Sequence, residues 1–176
     1  MNPLILKGNY ASLKEGYPVF INTDDIRAFT VLSTSDGIPF GSLLVRTANT
    51  KVYEAAQNLA ADTIDEAIDI VGVAMATNVK LNVTFPGGTG TLVEYEGGVQ
   101  GDAMTKGEIA VPYVGTEPDE NDKVYLVTNE GTDETAELGR VTADSSLTDA
   151  TLLELPQFRF SGISDESGLT VLKKLY

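Results

Sequence analysis

Apolar and polar residues alternate with a period of two along much of this 176-residue chain. In "VKLNVTF", Val79, Leu81, Val83 and Phe85 share one side of an extended backbone, and Lys80, Asn82 and Thr84 share the other. That is the pattern of a half-buried strand. "EIAVPYV" (108–114) sets Ile109, Val111 and Tyr113 on one face, with Pro112 marking an edge or a bulge. "KVYLVT" (123–128), "QFRFS" (157–161) and "LTVLKKL" (169–175) predict further strands. So do "YPVFIN" (17–22), "IRAFTVL" (26–32) and "SLLVRT" (42–47), which are rich in β-branched and aromatic residues. Turn signals separate them: Asp24-Asp25, Asp36-Gly37, Gly97-Gly98 and the polar run from Thr116 to Asp122.

One segment departs from this period. "YEAAQNLAADTIDEAIDIVG" (53–72) is rich in alanine, and Ala56, Ala60, Ile64 and Ile68 recur every four residues. Thr63-Ile64-Asp65-Glu66 has the form of a capping box, Thr at the N-cap and Glu three positions on. The expected fold is therefore all-β or mostly-β: a sandwich or barrel of short antiparallel strands, one short helix at about 64–71, and an N-terminal arm.

The domain reading is an arm over residues 1–16 and a single β-rich domain over 17–176, with an acidic loop or hairpin excursion at about 116–151. Within the first sixteen residues the apolar anchors are Leu4, Ile5, Leu6, Tyr10 and Leu13. They show neither sustained alternation nor a helical face. A strand of the domain and an extended arm that docks on a neighbour both remain open; in the second case those five residues are the candidate contacts. The chain carries no export signal by this reading, since the run Leu4-Ile5-Leu6 is short and no basic residue precedes it.

"FPGGTGT" (85–91) raises the question of a phosphate-binding loop. A Walker A loop needs a lysine after its last glycine, and a dinucleotide fingerprint needs a third glycine three positions after Gly90, where Val93 stands. Both also need a following helix whose N–H groups meet the phosphate. Here "TLVEY" follows and reads as a strand, so the loop is read as the turn of a β-hairpin.

Composition narrows the chemistry. Histidine and cysteine are both absent, which removes His bases, Ser-His and Cys-His nucleophiles, disulfides and the usual zinc and iron ligand sets. Carboxylates remain. Asp62, Asp65, Glu66 and Asp69 place acids at i,i+4, read as the solvated start of the helix. "TEPDENDK" (116–123) lacks the ligand spacing of an EF-hand, with Lys123 and Val124 at the third-ligand and glycine positions. Glu94 and Glu96 share a strand face as a notional glycosidase pair, without a tryptophan to form a sugar platform. No catalytic residue, cofactor or metal is expected.

The net charge of −14 is unevenly distributed: residues 1–51 carry +1 and residues 52–172 carry −17. A long acidic section repels a phosphate backbone, so no nucleic acid is expected as a partner. No stretch approaches the roughly 18 apolar residues of a membrane span.

The order of features in the second half resembles a known family. "IVGVAMATN" (70–78) leads into the glycine-bearing strands, followed by "GDAMTKGEIAVPYVG" (101–115), "ENDKVYLVT" (120–128), "LGRVT" (138–142) and "LPQFRFSGISDESGLTVLKKL" (155–175). This resembles the head-decoration, or structural cement, proteins of tailed bacteriophages over roughly residues 70–176. Asn121 departs from that pattern, standing where a glycine is common before Asp122-Lys123-Val124-Tyr125. The resemblance implies a non-enzymatic virion protein on the outer surface of the capsid, made in the host cytoplasm. Its implied partners are the major capsid protein and further copies of itself, as a dimer or trimer. A phage tail, fibre or host-surface adhesion module is the alternative reading.

Overall fold

The computed structural model describes residues 13–20, 26–48, 51–64, 66–76, 94–132 and 134–175. In chain order its strands are β1 (Pro18–Phe20), β2 (Ile26–Val31), β3 (Ile38–Pro39), β4 (Leu43–Arg46), β5 (Val52–Ala55), β6 (Ile70–Met75) and β7 (Glu94–Tyr95). Then follow β8 (Gln100–Met104), β9 (Gly107–Pro112), β10 (Tyr125–Asn129), β11 (Val141–Thr142), β12 (Thr151–Glu154), β13 (Phe158–Ser164) and β14 (Leu169–Lys174). The protein is mostly β, with antiparallel sheets, and the described residues contain no α-helix. The expected strand at 79–85 and the loop "FPGGTGT" lie outside the described residues.

Strands β2, β5, β4, β6 and β8 close into a barrel in that order. Four of its five seams are antiparallel; β2 and β5 run parallel, with Thr30 opposite Val52. A four-stranded antiparallel sheet, β1-β9-β14-β13, packs beside it, and β11-β10-β12 forms a third, smaller sheet.

The sequence explains why the central strands are continuously apolar instead of alternating. On β4, Leu44 faces the barrel interior with Phe29, Ile38, Phe40 and Tyr95, while Leu43 and Val45 face a second cluster with Ile109, Leu126, Phe158 and Phe160. On β6, Ala74 joins the barrel interior and Val73 and Met75 join the second cluster. A strand buried on both faces must be apolar at every position. Strand β9 repeats the device: Ile109 and Val111 enter the larger cluster, and Ala110 meets Leu13, Leu169 and Val171 in a third.

Gly72 of β6 is required by a close approach. A Cβ there would lie 2.5 Å from the carbonyl oxygen of Met104 on β8, so a side chain cannot be accommodated without separating the two strands.

The short helix expected at about 64–71 is reduced to one 3-10 turn, Ala67–Asp69. Its N-cap is Glu66, whose side chain makes no capping hydrogen bond. The Thr63 hydroxyl instead donates backward to the Ala60 carbonyl at 2.6 Å, so the capping box never closes. The alanine-rich segment also begins in a strand, β5, followed by a second 3-10 turn at Ala56–Asn58.

Two buried polar groups fasten the barrel. Tyr95, 1% exposed, donates its hydroxyl to the Met75 carbonyl at 2.5 Å and accepts from the Asp102 N–H at 3.1 Å. Its ring stands edge-on to Phe29 and Phe40. Glu54, 4% exposed, accepts through one oxygen from the Ser35 hydroxyl (2.7 Å), Asn58 Nδ2 (2.8 Å) and the Ala55 N–H (2.9 Å). A buried carboxylate supplied with donors in this way closes a loop onto a strand.

Candidate contact surfaces

The strand directions of the barrel gather five strand ends at one rim. Strands β2, β5 and β6 start there, and β4 and β8, running the opposite way, end there. The turn after β8 leads directly into β9, whose first residue, Gly107, pairs with Lys174 at the end of β14. The barrel rim and one end of the four-stranded sheet therefore meet.

An open groove of about 580 Å³ lies at that junction, and Arg27, Arg46, Lys106 and Lys174 line it together with Tyr53 and Gln157. No described residue lining it is acidic. The Lys174 ammonium donates to the Val71 carbonyl at 2.7 Å and stands 5.5 Å from the centre of the Phe158 ring, which fixes its charge at the groove. Gln157 Nε2 donates to the Ala67 carbonyl at 2.7 Å, holding the 3-10 turn against the start of β13. Arg27, Arg46 and Lys106 are exposed.

The far end of the same sheet is acidic. The turn between β13 and β14 carries Asp165 and Glu166, and the Ser164 hydroxyl donates to the Glu117 carboxylate. Glu120 packs against Gly162 of β13, and the neighbouring Asn121 N–H donates to the Phe160 carbonyl at 2.9 Å. Burial, reinforced by the charges of Glu117 and Asp165, raises the Tyr113 hydroxyl above its ordinary pKa of 10.0. Burial also acts to raise Asp165, but hydrogen bonds from the Ser167 hydroxyl and the N–H groups of Leu13, Leu169 and Ser167 outweigh it. They hold this carboxyl below its ordinary 3.8.

The residues singled out from sequence are dispersed. Leu13 is 8% exposed and packs with Ala110, Leu169 and Val171; Leu4, Ile5, Leu6 and Tyr10 lie outside the described residues. Asp65 also lies outside them, while Asp62 accepts from Asn129 Nδ2 at 2.8 Å and takes a left-handed backbone with φ of 59°. The Asp119 N–H donates to the Asp122 carboxylate at 2.9 Å, making 119–122 a turn closed on itself. Strand β7 ends at Tyr95, so Glu94 and Glu96 do not share a strand face; Glu96 begins the following turn. Among the described residues no group of three or more acidic, His or Cys side chains is placed to hold a metal ion.

The basic groove escaped sequence reasoning. Its four cations come from positions 27, 46, 106 and 174 and share no motif. The one available signal was the near-neutral charge of residues 1–51, which hold two of them.

The architecture is a β-rich fold in which small antiparallel sheets pack beside a closed barrel. The family model described as "Structural cement protein (E217 gp24/Pam3 gp6)" matches residues 10–174. The chain therefore belongs to the phage structural cement family, and is a non-enzymatic structural component of a phage capsid. The fold also matches a chain of the solved structure titled "The capsid of Myoviridae Phage XM1", with a TM-score of 0.65 at 18% identity, covering 98% of this chain and 96% of that one. No curated protein sequence matches.

Proposed function

We propose that this protein sits on the outer surface of a phage head, where it binds the major shell protein and neighbouring copies of itself as a dimer or trimer. The observation that carries this reading is the cement-family match across nearly the whole chain. The chemistry supports it: a double-sided apolar core gives a rigid body, and the excess negative charge suits a surface facing solvent rather than packaged DNA. Many weak contacts repeated over a shell act together, so none needs to be strong alone.

The N-terminal residues Leu4, Ile5, Leu6 and Tyr10 are the proposed contacts with the shell or a neighbour, with Leu13 rooting that segment on the domain. The acidic stretch at 116–151 is proposed to face solvent. Limited proteolysis and surface labelling of intact particles test this arrangement. The exposed acids Glu130, Glu134 and Glu137 of this stretch are expected to label readily, and residues 1–12 to be protected on particles but not in the free protein. The reverse pattern would overturn it.

A further inference from the structure

The first and last strands of the described chain flank the same partner. β1 pairs with one edge of β9 and β14 with the other, both antiparallel, so β1 and β14 run parallel to each other. Leu169, where β14 starts, lies opposite Pro112, and Lys174, where it ends, lies opposite Gly107. The segment leading into β1 enters at the Leu169 end, where the Leu13 N–H donates to the Asp165 carboxylate at 2.8 Å. It then runs along β9: the Gly16 N–H donates to the Ala110 carbonyl at 2.8 Å, and the Ala110 N–H donates to the Tyr17 carbonyl at 3.1 Å. The chain therefore enters this sheet at one end and leaves it at the other.

A pull on the two ends of the chain drives β1 and β14 in opposite directions along β9. The ladder hydrogen bonds lie across that pull, so they give way together, whereas peeling would break them one after another. β14 is registered with β9 at six positions, and the Lys173–Glu108 ion pair at 3.7 Å spans the same seam. Ala110, Thr170, Val171 and Leu172 are at most 1% exposed, which keeps out the water that would otherwise take over the broken bonds. The Ala76 N–H donates to the Gly16 carbonyl at 2.8 Å, tying the entering segment to the end of barrel strand β6 as well.

We propose that β1, β9 and β14 form a mechanical clamp that resists tension applied between the two ends of the chain. Only the source of that tension rests on the cement reading, in which the residues before Leu13 are held by the shell or a neighbouring copy. The clamp itself follows from the strand order.

The absence of cysteine lets handles be placed in pairs for single-molecule pulling of the free protein. Asn2→Cys with Tyr176→Cys loads the sheet from opposite ends. Asn2→Cys with Glu166→Cys, on the exposed β13–β14 turn, loads it from one end. Forced unfolding reports the barrier to unfolding, so at equal pulling speed the first pair is expected to unfold at about twice the force of the second or more. Equal forces in the two geometries would overturn the clamp. So would an early low-force step in the first pair that frees only the residues up to Phe20. Either result leaves the cement reading standing, whereas particles that carry none of the protein would remove that reading and leave the clamp.

Discussion

The backbone N–H of Leu13 donates to the Asp165 carboxylate at 2.8 Å, joining positions 152 residues apart. The same carboxyl accepts from the N–H groups of Ser167 and Leu169 at 3.0 and 3.2 Å. One side chain thus shapes the β13–β14 turn and holds the incoming chain on the sheet, where Leu13 is buried against Leu169 and Val171.

Acid is expected to release this fastening. The folded-state pKa of Asp165 is depressed below its ordinary 3.8, so its stabilisation is fully present above the unfolded value and is lost as pH falls through the folded one. The window lies below about pH 4. Asp165→Ala, which strands several N–H donors, is expected to cost about 1–3 kcal/mol at neutral pH and to speed proteolysis just before Leu13. Melting curves of wild type and variant from pH 7 to pH 3 check this; their difference should shrink towards the acid end. A constant difference would exclude Asp165 as the titrating group.

Removing the Tyr95 hydroxyl tests the barrel's internal polar tie. In Tyr95→Phe the ring still packs against Phe29 and Phe40, but the Met75 carbonyl and the Asp102 N–H each lose a partner. A loss of about 1–3 kcal/mol is expected in chemical denaturation, with the slope of the transition unchanged.

At Glu54 the acceptor oxygen should matter more than the charge. All three donors converge on one oxygen, which Glu54→Gln retains and Glu54→Ala removes. The alanine variant is expected to lower the melting temperature by several degrees, roughly 2–4 °C for each kcal/mol in a chain of this size. The glutamine variant should fall clearly less.

Gly72→Ala is expected to be among the most damaging single substitutions, costing about 3 kcal/mol or more. The atom it meets is the Met104 backbone oxygen at 2.5 Å, which cannot rotate aside as a side chain can. Denaturation midpoints for Gly72→Ala and Gly168→Ala separate this effect from backbone conformation alone. Gly168 has a φ of 79° and open space where a Cβ would sit, so it should be the milder change.

What the sequence made legible was the local period. The apolar stretches at 26–32, 42–47, 108–114, 157–161 and 169–175 each hold a strand, because alternation and β-branched content act residue by residue. β8 and β12 were missed: "QGDAM" and "TLLE" carry too little alternation, and their pairing with β2, β6 and β10 is set by neighbours distant in sequence. The parallel β2–β5 seam is equally long-range. The helix at 64–71 was overestimated because a capping box is a local motif, and Thr63 has a competing carbonyl three residues behind it. Lys106 and Lys174 reach one groove only because β9 and β14 are registered with Gly107 opposite Lys174, which no motif in either segment encodes.

A protein that cements a phage head raises the temperature at which particles release their DNA, so matched particles with and without this chain are compared by that temperature. Particles carrying the protein in regular, repeated copies are expected to hold their DNA to a higher temperature, and purified protein added back to bare particles should restore that resistance. Particles that contain none of it, or that release DNA at the same temperature with and without it, would exclude a cementing role.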